Sequence, residues 1–361
     1  MDLIARAADV TADWLSQVLG AAGYQVQVSD FASTPVGDGM LGESVRFDLQ
    51  FKRSSADAPA SVVGKFPSSN PTSRATGAQL GLYQKEVMFY SELADTVSIR
   101  TPRPYFAKFD PESGDFALIL EDMGPARGGN QLTGCSLAEA EVAMDEAAAL
   151  HGPRWGDARL GDLGWLGREA IAPQALIEMF GGIFTAFKAR YAEVLEPEYM
   201  AVCQTVAERV GAYYAGPAQP ITLHHADYRL DNMLFDPQAG RWPLVTLDWQ
   251  TVAPGPGVLD VAYFIGAGLT PDLRRKHEKD LLARWIEKLK FYGVKDYGWD
   301  QAWPAYRHYL FQGVLTAIFA SVGTVQTARG DAMFMTMARR HAIQALDLDA
   351  LDVLSQPDSS R

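Results

Sequence analysis

The sequence HHADYRLDN at residues 224–232, followed by LDWQ at residues 247–250, contains the pattern on which the fold prediction depends. Asp227 and Asn232 lie five positions apart in the first segment, and Asp248 in the second follows Asn232 by sixteen residues. Asp and Asn often occupy turns, so an isolated pair at this spacing would most often be a turn. The histidine that precedes Asp227 and the third polar residue that follows at Asp248 favour a functional site instead.

The chain before this pattern is predicted to be mostly an antiparallel sheet with one inserted helix. Apolar and polar residues alternate at 45–51, which is typical of a half-buried strand. A short helix at 11–21, with Thr11 at its N-cap, precedes the sheet. Further strands are predicted at 61–66, 105–109 and 116–121, and the inserted helix at 79–93.

The chain after a glycine-rich connector at 124–134 is predicted to be mostly helical. Helices are predicted at 137–150, 176–192, 198–214, 271–292, 301–322 and 329–354. Short strands at 232–235 and 244–248, joined by the turn Asp-Pro-Gln-Ala-Gly, interrupt them. A sheet-rich lobe followed by a helical lobe is the element order of the protein-kinase-like fold. We therefore predict an α+β bilobal fold, with an N-terminal lobe at 1–123 and a C-terminal lobe at 124–361.

The two motifs resemble those of the aminoglycoside phosphotransferase and choline kinase-like families. The run Asp-Tyr-Arg-Leu-Asp-Asn at 227–232 and the triplet Asp-Trp-Gln at 248–250 are most similar to a narrower branch. That branch contains ecdysteroid kinase-like proteins and the phosphotransferase domains found beside acyl-CoA dehydrogenases. The resemblance covers most of the chain.

The resemblance implies a role for each of the polar residues of the two motifs. Phosphoryl transfer from ATP needs a carboxylate beside the attacking hydroxyl and oxygen ligands that hold Mg²⁺ on the phosphates. Asp227 would orient the hydroxyl and accept its proton, while Asn232 and Asp248 would hold the metal. Where the family usually has Gly, this chain has Ala226. Protein kinases have Arg at this place, so we expect an effect on fine loop geometry and little effect on activity.

A structural interpretation is open for three further residues. Asp260 matches a family residue that begins a helix and braces the catalytic loop, although a plain helix N-cap would also explain it. Arg229 is predicted either to contact phosphate or substrate or to pair with a carboxylate. His151, at the end of the predicted helix 137–150, is interpreted as structural.

Lys65 and Glu86 are predicted to form an ion pair. Lys65 lies in an apolar strand, where an inward-facing ammonium is costly unless it meets an anion. Glu86 is the one charge on a helix face formed with Leu82, Phe89 and Leu93. In the family the lysine contacts the α- and β-phosphates and the glutamate holds it in place. The structural alternative is a surface lysine and a solvated glutamate.

Two further segments are predicted to contact ATP. Gly37, Gly39 and Gly42 form a glycine-rich turn before the alternating strand, where backbone N–H groups can approach phosphates, although such turns also join ordinary hairpins. At the end of the strand 116–121, the family binds adenine through backbone groups. These would be the carbonyl of Glu121 and the N–H of Met123, and a strand that merely ends in an acidic turn remains the alternative.

The composition restricts the class of partner. The chain has 361 residues, 44 acidic against 32 basic side chains and a net charge of −12, which argues against nucleic acid and anionic membranes. Cys135 and Cys203 are too few for a disulfide framework or a zinc site and fit a cytoplasmic location. The first residues show no export signal and no apolar stretch is long enough to span a membrane. A small molecule is the expected partner, and the oligomeric state stays open.

These observations lead to two functional hypotheses. The first is an ATP- and Mg²⁺-dependent phosphotransferase acting on a hydroxyl of a small molecule, with neutral or apolar alcohols favoured over aminoglycosides. The second is a nucleotide-binding pseudokinase that regulates a partner. A protein kinase is disfavoured, because the stretch from Asp248 to Asp260 is too short for a usual activation loop.

Overall fold

The computed structural model describes residues 1–37, 41–167 and 173–355, and within them the chain forms two compact units. Unit 1 comprises Met1–Thr96, Arg100–Ala126 and Asp236–Thr251. Unit 2 comprises Val97–Ile99, Arg127–Phe235 and Val252–Arg361. Gly39, one of the predicted phosphate-binding glycines, lies outside the described residues. No helix of the described ranges is both long and apolar enough to cross a membrane.

Unit 1 is built around a five-stranded antiparallel sheet. Its elements before residue 126 are α1 Ala12–Ala21, β1 Gln27–Pro35, β2 Gly42–Arg53, β3 Ser61–Pro67, α2 Pro71–Gln79, α3 Leu82–Met88, β4 Pro104–Phe109 and β5 Phe116–Glu121. The strand order is β1-β2-β3-β5-β4. Lys65 on β3 pairs with Ser44 on β2 and with Leu118 on β5, so it lies in the middle of the sheet.

Helix α1 packs on the sheet as its apolar spacing predicts. Thr11 accepts a hydrogen bond from the backbone N–H of Trp14, which confirms the predicted N-cap. Buried residues of α1 pack together with Phe47, Val62 and Ile119 from three neighbouring strands. Burying these side chains removes apolar surface from water, which stabilises the fold by about 25 cal/mol per Å². This gain in free energy determines which face of the sheet α1 covers.

The helix predicted at 79–93 is largely confirmed, but it begins at Leu82, and a separate helix before it was not predicted. The structure has α2, then α3, and then a π-helical turn at Phe89–Leu93. The signal for α2 was present, because Asn70 caps its first turn through Thr72 and Ser73 and is followed by a proline at the first helical position. The apolar face around Glu86 gives a stronger helical signal in the sequence than the polar residues of α2, so α2 was not predicted.

The segment Asp236–Thr251 completes unit 1. It contains a one-turn element α8 Pro237–Gly240, with left-handed backbone at its centre, and β9 Leu244–Thr246. Trp249 is fully buried and stacks on Phe89 with ring centroids 3.9 Å apart. Asp248, next to it, has a φ of 65°, a backbone region that Asp adopts more readily than most residues.

Unit 2 is mainly helical. Its elements are β6 Arg127–Gly128, α4 Leu137–His151, α5 Pro173–Tyr191, α6 Pro197–Glu208, α7 Val210–Tyr214, β7 Ile221–His224, β8 Met233–Phe235, β10 Ala253–Pro256, α9 Gly257–Gly268, α10 Pro271–Phe291, α11 Trp299–Tyr309, α12 Gln312–Gly323 and α13 Ala328–Asp347. β7 pairs with β10 and β6 with β8, both antiparallel. Every residue of α9 is buried, so this helix is the centre of the unit.

Three predicted helices of unit 2 are interrupted in the structure. The predicted helix at 198–214 breaks between α6 and α7, that at 301–322 divides into α11 and α12, and that at 329–354 ends with α13 before a 3₁₀ turn. β7 and β10, which flank the 224–232 segment and the start of α9, were missed because strands of four residues give little periodicity.

Candidate active site

Lys65, Glu86 and Asp248 form a partly buried ionic cluster in unit 1. The Lys65 ammonium donates to Glu86 Oε1 at 2.7 Å and to Asp248 Oδ1 at 2.7 Å. The three residues come from β3, α3 and the segment after β9, and Glu86 is 1% exposed. The predicted pair is therefore present in the structure, with Asp248 as a second partner of the lysine. Asp248 is not simply solvent-facing, as a residue at a strand end would be.

Two carboxylates share one ammonium in this cluster, and the pKa values reflect it. Burial raises the pKa of Glu86 to about 7, against the attraction of Lys65, and the carboxylate of Asp248 adds to this rise. Burial alone would lower the pKa of Lys65, but Asp248 and Glu86 outweigh it and the pKa is raised. The cluster thus carries one negative charge more than its lysine neutralises, and an added cation would relieve it.

We expect this excess charge to make the protein without nucleotide less stable as the pH rises. Because the pKa of Glu86 is raised to about 7 from 4.5, the stability from its neutral form is complete below about pH 4.5 and is lost as the pH rises through 7. Lys65 keeps its charge over this window. Glu86→Gln should remove the slope and stabilise the protein at pH 8 by on the order of 2 kcal/mol, measured by urea unfolding between pH 5 and 8.

Glu112→Gln is the matched control, since Glu112 is exposed in the β4–β5 turn. This variant should keep the wild-type dependence of stability on pH. A Glu86→Gln protein with an unchanged slope would show that Glu86 does not take up the proton.

Asp227 in unit 2 is held by donors from three side chains. Arg229 Nε lies 3.0 Å from both carboxylate oxygens, Asn232 Nδ2 donates to Oδ2 at 2.9 Å, and the Tyr263 hydroxyl donates to Oδ1 at 3.0 Å. Arg229 also donates to Asp231 at 3.1 Å. Arg229 is therefore a partner of carboxylates, which was one of its two predicted roles, and it links the two acidic residues of the loop.

The amide of Asn232 is oriented by the same residue. Its Nδ2 donates both to the backbone carbonyl and to the carboxylate of Asp227, each at 2.9 Å. Both amide hydrogens are used, which assigns the orientation of the group and turns Oδ1 away from Asp227. An outward amide oxygen is a suitable ligand for Mg²⁺. Within the described residues no group of three or more His, Cys, Asp or Glu side chains could hold a metal ion.

Asp260 fixes the backbone that leads into Asp227. Its carboxylate accepts the N–H groups of His225 at 2.6 Å and Ala226 at 2.9 Å, and it contacts His151 Nε2 at 3.1 Å. Trp285 donates its indole N–H to Nδ1 of His151, so Nε2 carries the hydrogen that points to Asp260. Burial would raise the pKa of Asp260, but the His151 hydrogen bond and the nearby histidines hold it below its usual value.

Ala226 is strained by this arrangement. Its φ is 66°, a left-handed conformation that costs residues with a Cβ about 1–2 kcal/mol. Glycine adopts it freely but loses more entropy on folding, by about 0.5–1 kcal/mol. We therefore expect Ala226→Gly to stabilise the protein slightly, by up to about 1 kcal/mol in thermal unfolding.

The control for this prediction is Ala201→Gly on the exposed face of α6. There the same change should destabilise by up to about 1 kcal/mol. If both variants lost stability alike, the strain at Ala226 would be absent.

The second half of the glycine-rich connector also supports the loop of Asp227. Gln131 is fully buried; its backbone N–H donates to Asp231 at 2.9 Å and its side-chain oxygen accepts the N–H of Leu230 at 3.1 Å. A Cβ on Gly129 would lie 2.2 Å from the carbonyl oxygen of Leu230, so the close approach requires glycine. The sequence analysis missed Gln131 and Tyr263, because neither belongs to a motif near Asp227 in the chain.

The structure describes two of the three glycines of the predicted phosphate-binding turn, Gly37 and Gly42. Gly37 has a φ of 75°, a conformation that favours glycine. Gly42 begins β2, and a Cβ there would lie 3.1 Å from the carbonyl oxygen of Phe66 and 3.7 Å from the Lys65 side chain. Gly42 therefore lies beside the lysine of the cluster, and its lack of a side chain leaves room around Lys65.

The predicted adenine-binding segment follows β5. The carboxylate of Glu121 is engaged by Arg100 at 2.7 Å and by Gln238 at 2.9 Å, so that side chain is structural. The backbone N–H of Gln238 donates to the carbonyl of Met123 at 3.0 Å. Among the described residues, no backbone carbonyl is found to accept the N–H of Met123.

Comparison of the sequence with protein families gives one match. The model of the ecdysteroid kinase-like family matches residues 172–293. This segment contains both motifs from which the resemblance was drawn, and the resemblance is confirmed over it. No curated protein sequence matches the chain.

Solved structures with similar folds include two small-molecule kinases and a phosphotransferase. Choline kinase from Cryptosporidium parvum Iowa II is 9% identical with a TM-score of 0.56, covering 89% of this chain and 92% of its own. Plasmodium vivax ethanolamine kinase is 10% identical with a TM-score of 0.51, covering 89% and 84%. The GDP complex of a mutant aminoglycoside 2'-phosphotransferase-IIIa is 13% identical with a TM-score of 0.52, covering 94% and 100%. At these identities the likeness establishes the fold, which is the protein-kinase-like α+β fold predicted above.

Proposed function

We propose that this protein is a kinase that transfers the γ-phosphoryl group of ATP, with Mg²⁺, to a hydroxyl of a small organic molecule. The observation that carries the proposal is the Lys65 cluster, in which one half-buried ammonium donates to Glu86 and to Asp248 at 2.7 Å each. Phosphoryl transfer in protein kinases uses a lysine–glutamate pair and an aspartate to hold nucleotide phosphates and metal, and the cluster contains the same three residue types. The family match and the kinase structures of the same fold support it.

The proposed roles of the residues can be stated for each unit in turn. In unit 1, Lys65 would bind the α- and β-phosphates, and Gly37, Gly39 and Gly42 would offer backbone N–H groups to phosphate oxygens. The carbonyl of Glu121 and the N–H of Met123 would bind adenine. Bound Mg²⁺ would neutralise charge on the phosphates, and its assignment to Asp248 and Asn232 rests on the motif resemblance and on the outward amide oxygen of Asn232.

In unit 2, Asp227 would act on the acceptor. The acceptor hydroxyl oxygen forms a bond to the γ-phosphorus, the bond from phosphorus to the β,γ-bridging oxygen breaks, and ADP leaves with the electron pair. The hydroxyl proton passes to Asp227. All the residues that this reaction requires are present, which argues against the pseudokinase alternative. A cytoplasmic location is part of the same proposal.

The charges around Asp227 favour a neutral acceptor over a polycation. Arg229 pairs with Asp227 and Asp231, and Arg329 lies 3.5 Å from Asp231. Two guanidinium groups thus balance the two carboxylates of the loop, whereas a polycationic acceptor calls for unbalanced acidic groups. We therefore propose a neutral or apolar alcohol as the acceptor class.

A competition assay tests the function and the acceptor class together. A sterol-like alcohol and kanamycin, offered with Mg-ATP, should give ADP formation with the alcohol preferred. A clear preference for kanamycin would reverse the acceptor proposal and leave the kinase intact. A protein that neither binds Mg-ATP nor forms ADP with choline, hydroxyacyl compounds, sterols or aminoglycosides would contradict the kinase itself.

A further inference from the structure

Tyr263 brings a buried hydroxyl to the proposed base. Tyr263 belongs to α9, whose residues are all buried, and its own side chain is 0% exposed. Its hydroxyl donates to Oδ1 of Asp227 at 3.0 Å. A buried tyrosine hydroxyl needs a partner in any case, so the contact alone does not distinguish packing from a contribution to the reaction.

The positions of the other donors to Asp227 make Tyr263 distinctive. Arg229 and Asn232 lie on the same loop as Asp227, within five residues of it. Donors on the loop move with the carboxylate, and of the two, within the described part of the chain, only Arg229 has a contact outside the loop, one of 3.2 Å from its guanidinium to the sulfur of Met333 in α13. Among the described residues that donate to this carboxylate, Tyr263 is the one that belongs to another element, the central helix of unit 2.

The ring of Tyr263 is itself held in place. It stacks on His341 of α13, with ring centroids 5.9 Å apart and planes inclined by 25°. His341 is fully buried and fills the space left by two glycines, where a Cβ on Gly266 or Gly313 would lie 2.3 Å and 2.0 Å from its ring. Because these contacts leave the tyrosine little freedom, its hydroxyl occupies a defined point beside Asp227.

The hydroxyl of Tyr263 also keeps its hydrogen. Burial raises the pKa of Tyr263 well above its ordinary value, and the neighbouring Asp227 carboxylate raises it further. The group is therefore a donor at every pH at which the protein would work. A carboxylate has about four acceptor positions. Tyr263 and Asn232 each supply one hydrogen, and the single Nε–H of Arg229 is shared between the two oxygens, so three hydrogens leave about one position for an acceptor hydroxyl.

We propose that Tyr263 is a positioning residue that anchors the Asp227 carboxylate to α9 and thereby directs its remaining lone pair at the acceptor hydroxyl. The inference rests on the proposed function, since it takes Asp227 as the base. It adds a residue 36 positions away in the chain to the machinery that the two motifs identify.

The test is Tyr263→Phe, which removes one oxygen and keeps the buried ring. The assay is phosphate release from Mg-ATP with water as acceptor, which needs no knowledge of the alcohol. We expect kcat to fall about 10- to 100-fold, because small misplacements of a reacting group cause losses of this size. The KM for ATP should be unchanged. Tyr306→Phe is the matched control, because that hydroxyl is also buried and bonded, to Glu278 and Gln344, and it should cost stability with little loss of kcat.

A double-mutant cycle with Asp227→Asn separates positioning from packing. If Tyr263 acts through the carboxylate, Tyr263→Phe should have almost no further effect on kcat in the Asp227→Asn background. Equal losses in both backgrounds, or a Tyr263→Phe enzyme as fast as wild type, would overturn the inference and leave the kinase proposal standing. A wild-type protein that neither binds Mg-ATP nor releases phosphate would overturn the kinase proposal, and the inference with it.

Discussion

Asp227→Asn should lower kcat by about 10²–10⁴-fold, the usual contribution of a positioned proton acceptor. The amide keeps the size and shape of the carboxylate but is not basic, so the acceptor hydroxyl loses the group that takes its proton. The KM for ATP should change little, because in this proposal Asp227 acts on the acceptor. Steady-state kinetics of ADP formation with the preferred alcohol would measure both constants.

The donors around Asp227 affect how this experiment must be read. Asn at 227 would present an NH₂ group to donors that now point at a carboxylate, namely Arg229 and Tyr263, so a modest loss of stability is expected as well. Thermal unfolding must therefore accompany the kinetics. Asp296→Asn, at an exposed position of unit 2, is the control and should be neutral in both. A kcat within a few fold of wild type would exclude Asp227 as the base.

Asp248→Ala should abolish turnover, and isothermal titration should show Mg-ATP binding no more tightly than ATP alone. The proposed metal ligand is then missing, and the phosphates have only Lys65 to neutralise them. The same change removes one of two carboxylates from a single ammonium, so Lys65 and Glu86 become a balanced pair. The protein without nucleotide should consequently remain folded.

Backbone strain calls for a second variant at this position. Asp248 has a φ of 65°, which Asn tolerates better than Ala. Asp248→Asn should therefore retain the wild-type fold more closely and still lose most of the gain in ATP affinity that Mg²⁺ provides. If the affinity for ATP with Mg²⁺ and the rate were unchanged in both variants, Asp248 would not be a metal ligand.

The sequence predicted those parts of the site that depend on local pattern. Asp227 and Asn232 share one loop. For Lys65 and Glu86 the apolar strand and helix face predicted that each charge needs a partner, and the family resemblance paired the two. The π-helical turn after α3 was not predictable in this way, since its wider spacing breaks the helical period that indicated a single helix. The apolar residues still form one face in the structure, although the helix changes to π-helical spacing after α3.

Gln131 and Tyr263 were missed in the sequence, because only tertiary contacts bring them to the site. Gln131 lies about a hundred positions from the backbone it supports, and Tyr263 lies in a helix that is apolar throughout and shows no polar face. No periodicity or motif distinguishes such a residue from ordinary core. The glycines offer a partial signal, since the close approach at Gly129 marks a place where two backbones meet.

The return of Asp236–Thr251 to unit 1 has a consequence for synthesis of the protein on the ribosome. Lys65 is made 183 residues before Asp248, which at about 5–20 residues per second is a delay of about 10–40 s. During that interval Phe89 lacks the Trp249 ring that stacks on it, and the buried charges of Lys65 and Glu86 lack their third member. An early-made unit that stays incomplete for so long exposes apolar surface, so the nascent chain should depend on chaperones, and a fragment that stops at residue 126 should aggregate.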